Sequence, residues 1–305
     1  MFRITELTAA EAPVAVALCA AALDLPEDAA EASEIVGRLR ERPTIGFLAY
    51  DDAGAPIGVV IGSVSERDAT LGHVDLIAVH PAARRQGAGR ALIGSVESAL
   101  AARGVTEVLL AGNPPNYAWP GIDVRYTPAV CAAQAYGYEQ DRTAWNMTAD
   151  LSDGSPALRS TTAAETRLAA NGIVVRAATT ADLPALTEFA RATFPGSSWP
   201  AELTGSIGRT GAGCHLAIRD NGEILGFAAY GSSRPSWFGP MGTAPAAQGL
   251  GIGAVLLRRC LRDQRDAGHA KAEIGWVGPV PFYSGASGAR IERVFFLYRK
   301  PPPPP

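Results

Sequence analysis

Residues 81–93 read PAARRQGAGRALI, and residues 245–257 read PAAQGLGIGAVLL. With Gly87 set on Gly251 and Gly89 on Gly253, the two stretches run in register at a constant offset of 164, and Pro81 meets Pro245. A repeat of this kind implies two copies of one structural unit. The chain has 305 residues, about twice the ~150 residues of an ordinary domain, which agrees with two copies.

Working outward, the same elements recur around each copy. In the first half Arg3–Leu7 reads as a strand and Ala9–Leu23 as an alanine-rich helix. Ile45–Tyr50 and Ile57–Val64 read as strands around Asp51-Asp52-Ala53-Gly54, a hairpin signal. Val74–Val79 is an apolar strand, Gly89–Arg103 a helix stopped by Gly104, and Val105–Ala111 a further strand. The second half repeats this with a strand at Ile173–Ala177, a helix at Asp182–Thr193, and strands His215–Ile218 and Ile224–Tyr230 around Asp220-Asn221-Gly222-Glu223. Trp237–Thr243 leads into the glycine turn, Ala254–Gln264 is helical, and Ala272–Val277 is a strand. Both halves read β-α-β-β-β-α-β, which predicts an α/β (α+β) fold of two tandem domains, residues 1–150 and 172–300. Residues 151–171 are polar and rich in small side chains and read as a linker; residues 301–305 are a polyproline II tail.

Composition narrows the function classes. Hydrophobic residues make up 47% and charged residues 19%, as in a folded protein. Net charge is −3 with no block of lysines or arginines, so the electrostatic footprint of a nucleic-acid binder is missing. No apolar run reaches a membrane span and no leader is evident, so a soluble, cytoplasmic protein is expected. Cys19, Cys131, Cys214 and Cys260 are scattered and read as reduced, mostly buried thiols. His73, His80, His215 and His269 form no metal spacing, and no metal is expected.

In each half a strand enters a turn rich in Gly, Gln and Arg and then directly a helix. Glycines let the backbone approach a ligand, successive N–H groups converge, and the helix N-terminus adds about half a positive charge. A pyrophosphate suits such a trap. Gly249-Leu250-Gly251-Ile252-Gly253-Ala254 also matches GxGxxA of the dinucleotide fingerprint, but that motif follows the first strand of a parallel unit and is answered by an acidic residue about 20 positions on. Here a hairpin precedes the turn, and His269-Ala270-Lys271 fills the acidic slot.

Arg84-Arg85-Gln86-Gly87-Ala88-Gly89, followed by Arg90, and Gln248-Gly249-Leu250-Gly251-Ile252-Gly253, followed by Ala254, resemble the (Q/R)-x-x-G-x-(G/A) signature of GCN5-related N-acetyltransferases, the GNAT family. The resemblance covers nearly the whole chain, twice. It implies two domains, each a mixed, mostly antiparallel sheet flanked by helices, whose turns grip the pyrophosphate of the co-substrate acetyl-CoA. It further implies that the preceding strands hold the pantetheine arm: Ile77, Ala78 and Val79 in the first half, and Met241, Gly242 and Thr243 in the second. Family members often place a tyrosine on the helix after the fifth strand, in a phrase like F-Y-x-x-x-G-F, where its hydroxyl protonates the departing thiolate. Phe282-Tyr283 carries that phrase here, which makes Tyr283 the expected general acid, whereas Ala132-Ala133 stands at the same place in the first half. The second half is therefore expected to catalyse, and the first to bind acetyl-CoA or only to scaffold.

For the base the resemblance offers Asp75 on the fourth strand of the first half, and Glu273 is the nearest carboxylate in the second. The long aromatic connection Asn113–Tyr126 supplies Tyr117, Trp119, Asp123 and Tyr126 as acceptor contacts, aromatic faces beside a carboxylate that suits an ammonium. Tyr117 and Tyr126 are also alternative proton donors in the first half. Trp237 is a further acceptor candidate in the second. The expected activity moves acetyl from acetyl-CoA to a primary amine of a small polar metabolite, an amino sugar or aminoglycoside-like antibiotic by preference. An acyl-CoA sensor and a protein lysine acetyltransferase stay open as alternatives. The expected partners are a small-molecule amine, no nucleic acid and no membrane, with the protein a monomer or homodimer.

Overall fold

The repeated glycine turn sits, in both halves, between a strand and a helix. The computed structural model describes residues 2–300. In chain order its first part forms β1 (Phe2–Glu6), α1 (Ala12–Ala22), α2 (Pro26–Ala30), α3 (Ala32–Leu39), β2 (Ile45–Asp51), β3 (Pro56–Val64), β4 (Leu71–Val79), α4 (Ala88–Ala101), β5 (Glu107–Leu110), β6 (Ile122–Asp123), α5 (Thr127–Ala135) and β7 (Glu139–Asp150). There follow α6 (Thr162–Ala169), β8 (Ile173–Ala177), α7 (Leu183–Thr193), α8 (Trp199–Ser206), β9 (Gly213–Arg219), β10 (Ile224–Tyr230), β11 (Trp237–Thr243), α9 (Ile252–Asp266), β12 (Lys271–Ile274), α10 (Val280–Ser287) and β13 (Arg290–Lys300). The offset of 164 read from the sequence survives in the backbone: single 3-10 turns begin at Pro81 and Pro245, helices at Ala88 and Ile252, and the next strands at Glu107 and Lys271.

The chain divides into two compact units, residues 2–144 with 294–300, and residues 145–293. Two features differ from a division at residues 150–172. Residues 147–150 of β7 pair with β12 inside the second unit, and residues 295–300 of β13 pair with β6 and β5 inside the first. Residues 151–171, expected as a linker, fold into the second unit: Leu151, Ala157 and Leu168 lie in its core, and Glu165 of α6 forms an ion pair with Arg259 of α9. The polyproline stretch 301–305 lies outside the described residues.

In the first unit the strand order is β1-β2-β3-β4-β5-β13, with β6 also on β13; only β4 and β5 run parallel. Successive strand residues point to opposite faces, so Leu48, Val59, Ile61 and Leu76 meet Leu18, Ile35 and Leu39 of α1 and α3. Val60, Val74 and Val108 meet Leu92, Val96 and Leu100 of α4. Each such side chain, fully buried, contributes roughly 1.5–3 kcal/mol. The second unit repeats the plan in the order β7-β12-β11-β10-β9-β8, with β11 and β12 parallel. There α9 covers one face through Val255, Leu256 and Leu257, and α7 and α8 cover the other through Leu186, Ala190 and Leu203. Each sheet is thus mixed, mostly antiparallel and flanked by helices. No helix among the described residues is long and apolar enough to cross a membrane. Cys19, Cys214 and Cys260 are buried, while Cys131 on α5 is exposed.

Candidate active site

The glycine turns are built alike. Arg85 and Gly87 have φ of 65° and 92°, and Gly249 and Gly251 have φ of 82° and 84°. Alternating left-handed residues just before a helix turn their N–H groups towards one point, an anion-binding concavity. A side chain at Gly251 would meet nothing within 4 Å and one at Gly87 nothing closer than 3.8 Å, so both turns are open where an anion would rest. The arginines of the first turn have distinct tasks. Arg84 donates to the carbonyls of Val79 (3.1 Å) and Ala22 (2.7 Å) and pairs with Asp24, which fixes the turn to the end of α1. Gln86 donates to the Ala82 carbonyl, and Arg90 stands 4.8 Å over the Tyr136 ring.

Beyond the turn the first unit opens. β4 pairs with β5 only over Leu71–His73, and along its remainder, Val74–Val79, runs a cavity of about 650 Å³. Ile77, Ala78 and Val79 form one side of it, Ala132 and Ala133 of α5 another, and Arg85, Gly87, Gly89 and Arg90 line it at the glycine turn. Its size is that of a small-molecule site.

Asp75 enters this cavity because of a β-bulge. Ile61 pairs with Leu76 but Gly62 with Val74, so Asp75 is the extra residue of β4 and carries no cross-strand partner. Bulges re-aim side chains in this way. Its Oδ2 accepts a hydrogen bond from the Ser63 hydroxyl at 2.6 Å, while Oδ1 is buried without a partner. Burial pushes the carboxyl up to about 7, against the opposing pull of the Arg42 charge and the Ser63 hydroxyl. Arg42 is held by the carbonyls of Asn113 and Asn116, and the Asn113 amide donates to Ser63 at 2.8 Å. His73 is neutral: burial draws its pKa down to about 4, and Nδ1–H donates to the Ala111 carbonyl at 2.9 Å. Arg42 and Asn113 escape a sequence reading, since the Ser63–Asn113, Arg42–Asn113 and Arg42–Asn116 contacts span 50 to 74 residues of chain.

The aromatic connection does reach the cavity: Tyr117, Trp119, Asp123 and Tyr126 all line it. Asp123, however, is 2% exposed and bound on both oxygens by Arg125, at 2.8 Å from Nη2, so it does not offer a free carboxylate to an ammonium. The polar ends of the two aromatics are also engaged. Trp119 Nε1 and the Tyr126 hydroxyl both donate to Oδ2 of the fully buried Asp28, at 3.1 and 3.0 Å. The Tyr126 O–H is therefore engaged by the Asp28 carboxylate rather than turned towards a thiolate. Asp28, on the short α2, went unrecognised in the sequence because that helix was not anticipated.

The second unit differs at each of these points. Its β11 has the same bulge, yet the position 164 after Asp75 is Gly239, which has no side chain. Tyr283, expected as the general acid, is 8% exposed, packed edge-on against Phe238 and Phe282, with its hydroxyl 3.9 Å from Met241 Sδ. Burial pushes its pKa up to about 12. A side chain on Gly253 would stand 3.1 Å from Met241 Cε and 3.3 Å from Phe282, so these side chains pack closely against the start of α9. A side chain on Gly242 would come within 2.9 Å of Trp199 and closer still to Phe194, and Thr243 ends the strand. Of the turn residues Gln248, Gly249 and Leu250 are exposed, whereas Ile252 belongs to the core and Ala254 is half-buried. Trp237 is 3% exposed beneath Arg234 and is a core residue rather than an acceptor contact. Glu273 accepts from Asn146 and pairs with the buried Arg293 at 3.2 Å, so it is committed to structure. His215 Nε2 lies 2.7 Å from Asp263 Oδ2. Among the described residues no group of three or more His, Cys, Asp or Glu side chains assembles as a metal site.

The sequence matches the family model described as Acetyltransferase (GNAT) family over residues 11–119 and 183–279. Similar solved structures include the GCN5-related glucosamine N-acetyltransferase region of a fungal multi-domain GH3 β-N-acetylglucosaminidase, 16% identical with a TM-score of 0.76, over 98% of this chain and 38% of that one. The chain thus spans 38% of that protein's length. A tandem GNAT protein from the clavulanic acid biosynthesis pathway is 16% identical with a TM-score of 0.71 over 100% of both chains. A GCN5-related N-acetyltransferase from Sphaerobacter thermophilus is 21% identical with a TM-score of 0.66, over 98% of this chain and 95% of that one. At these identities the likeness is one of fold. No curated protein matches the sequence significantly.

Proposed function

The chain belongs to the GNAT acetyltransferase family and is a tandem N-acetyltransferase; from that premise we propose that its first unit binds acetyl-CoA and catalyses, and that its second unit is a scaffold. This reverses the division of labour expected from Tyr283. One contrast carries it: the first unit joins an open glycine turn to a cavity of about 650 Å³ with Asp75 among its lining residues, while the second has Gly239 at the carboxylate's position and packs Met241 and Phe282 against Gly253, with Tyr283 buried beside them.

The residues present fit acetyl-CoA. Arg85, Gly87 and the first turn of α4 hold the anionic end with backbone N–H groups and the helix dipole. The edge of β4 from Ile77 to Val79 lies beside the cavity as a rail for an amide-bearing arm, and Ala132 and Ala133 leave room for it. When bound, the thioester supplies the acetyl group. Asp75 Oδ1 accepts a proton from the attacking ammonium, at a pKa near the working pH, where a general base is most effective. The Ser63 hydroxyl holds that carboxylate in place, and the Arg42 charge favours its ionised form.

The acceptor is a primary amine on a small molecule. An amino sugar remains to be assayed, given the glucosamine N-acetyltransferase region of the fungal relative, but the ammonium partner expected for it, Asp123, is taken by Arg125. The test is thiol release from acetyl-CoA by Asp75→Asn and Tyr283→Phe. Loss in the first variant and near-wild-type turnover in the second supports the proposal, and the opposite pattern returns catalysis to the second unit.

A further inference from the structure

The acceptor end of the cavity has an unusual economy of polar groups. Asp123 is bound by Arg125, and Trp119 and Tyr126 turn their donors onto Asp28 while both residues line the cavity. Leu23 and Ile122 extend the apolar lining. Among the described residues that line the cavity, the buried side-chain polar atom left without a partner is Asp75 Oδ1. The Arg42 charge acts electrostatically on this same carboxylate.

We propose that the acceptor is a monoamine carried on an apolar or aromatic body, and not a polyhydroxylated or polycationic amine; this deepens the reading of the first unit as the acetyl-CoA site and rests on it. A single free carboxylate oxygen answers a single ammonium. The Tyr117, Trp119 and Tyr126 rings offer area to an apolar body, as aromatic side chains do at small-molecule sites. Each hydroxyl of a sugar brought into this end would lose its water and find the protein's polar groups already paired, a cost that discriminates in kcat/KM. A second ammonium would approach Arg42, a like charge held in place by two backbone carbonyls.

The proton balance is simple. The ammonium gives one proton to Asp75, the freed amine forms the new C–N bond as the C–S bond of the thioester breaks, and the amide nitrogen gives up its remaining extra proton as the thiol leaves. The deciding experiment measures initial rates of thiol release at saturating acetyl-CoA with phenethylamine, hexylamine, glucosamine, spermidine and kanamycin, alongside calorimetric binding of acetyl-CoA to wild type and Gly87→Asp. The expected result is a kcat/KM for phenethylamine and hexylamine at least about 10²-fold above the other three, the discrimination an apolar pocket achieves against an added hydroxyl. Equal or faster turnover of glucosamine, spermidine or kanamycin overturns the inference, as does an enzyme that binds acetyl-CoA through Gly87 and turns over neither apolar amine. Binding of acetyl-CoA that survives Gly87→Asp overturns the underlying site itself, whatever the acceptor ranking.

Discussion

At Asp75 burial opposes ionisation while Arg42 and Ser63 favour it, and the carboxyl titrates at about 7. A base must be ionised to act, so kcat/KM is expected to fall as pH drops below about 7 and to lose that limb in Asp75→Asn, whose kcat should be lower by about 10²-fold, within the range of general-base effects. A pH profile of thiol release reads both. Stability carries the same group with a defined sign. The folded-state pKa of about 7 lies above the ordinary carboxyl value of 3.8, so the folded protein binds more protons in between, and this contribution to stability is present below about 4 and lost as pH rises through 7. Melting temperatures of wild type should therefore fall relative to Asp75→Asn between about pH 4 and 7; a parallel course of the two would show that Asp75 is not buried as described.

At the level of elements, the comparison of α5 with α10 separates the units. Ala133 lines an open cavity, whereas at the matching place on α10 the bulky Phe282 and Tyr283 pack edge-on against each other. Ala133→Phe should close the first cavity and weaken acetyl-CoA binding in a protein that still folds, measured by calorimetry with a thermal melt as control; undiminished affinity in a folded variant would move the arm elsewhere. The elements around the turns were legible from apolar periodicity and from glycine punctuation, and Ile173–Ala177, Ile224–Tyr230 and Trp237–Thr243 form as read. Others were not. β7 begins Glu-Gln-Asp-Arg with five exposed residues, and β13 begins Arg-Ile-Glu with three, so the alternation that marks a half-buried strand is hidden in their first parts. The motif made Tyr283 conspicuous, but only packing shows that Met241 and Phe238 enclose it. Asp75 was visible as an acid on a strand, whereas the bulge that aims it is a matter of register, which no local pattern carries.

For the molecule as a whole, each unit is completed by chain from beyond its own half. Tyr298, at 1% exposure, sits in the core beneath α4, and Lys300 pairs with the buried Glu97 at 2.6 Å and stands over the Tyr138 ring. Deleting residues 294–305 should therefore unfold or empty the first unit and abolish acetyl-CoA binding, although the deletion starts more than 150 residues after the turn at Gly87; a truncated protein that binds as wild type would refute that dependence. The central claim, that the first unit and not the second holds acetyl-CoA, is tested most directly by calorimetric titration of acetyl-CoA into wild type, Gly87→Asp and Gly251→Asp. Both glycines have left-handed φ, 92° and 84°, so the backbone strain introduced is alike and the difference between the variants reports the site. Binding lost in Gly87→Asp and kept in Gly251→Asp is the predicted result, and binding kept in Gly87→Asp and lost in Gly251→Asp would contradict it.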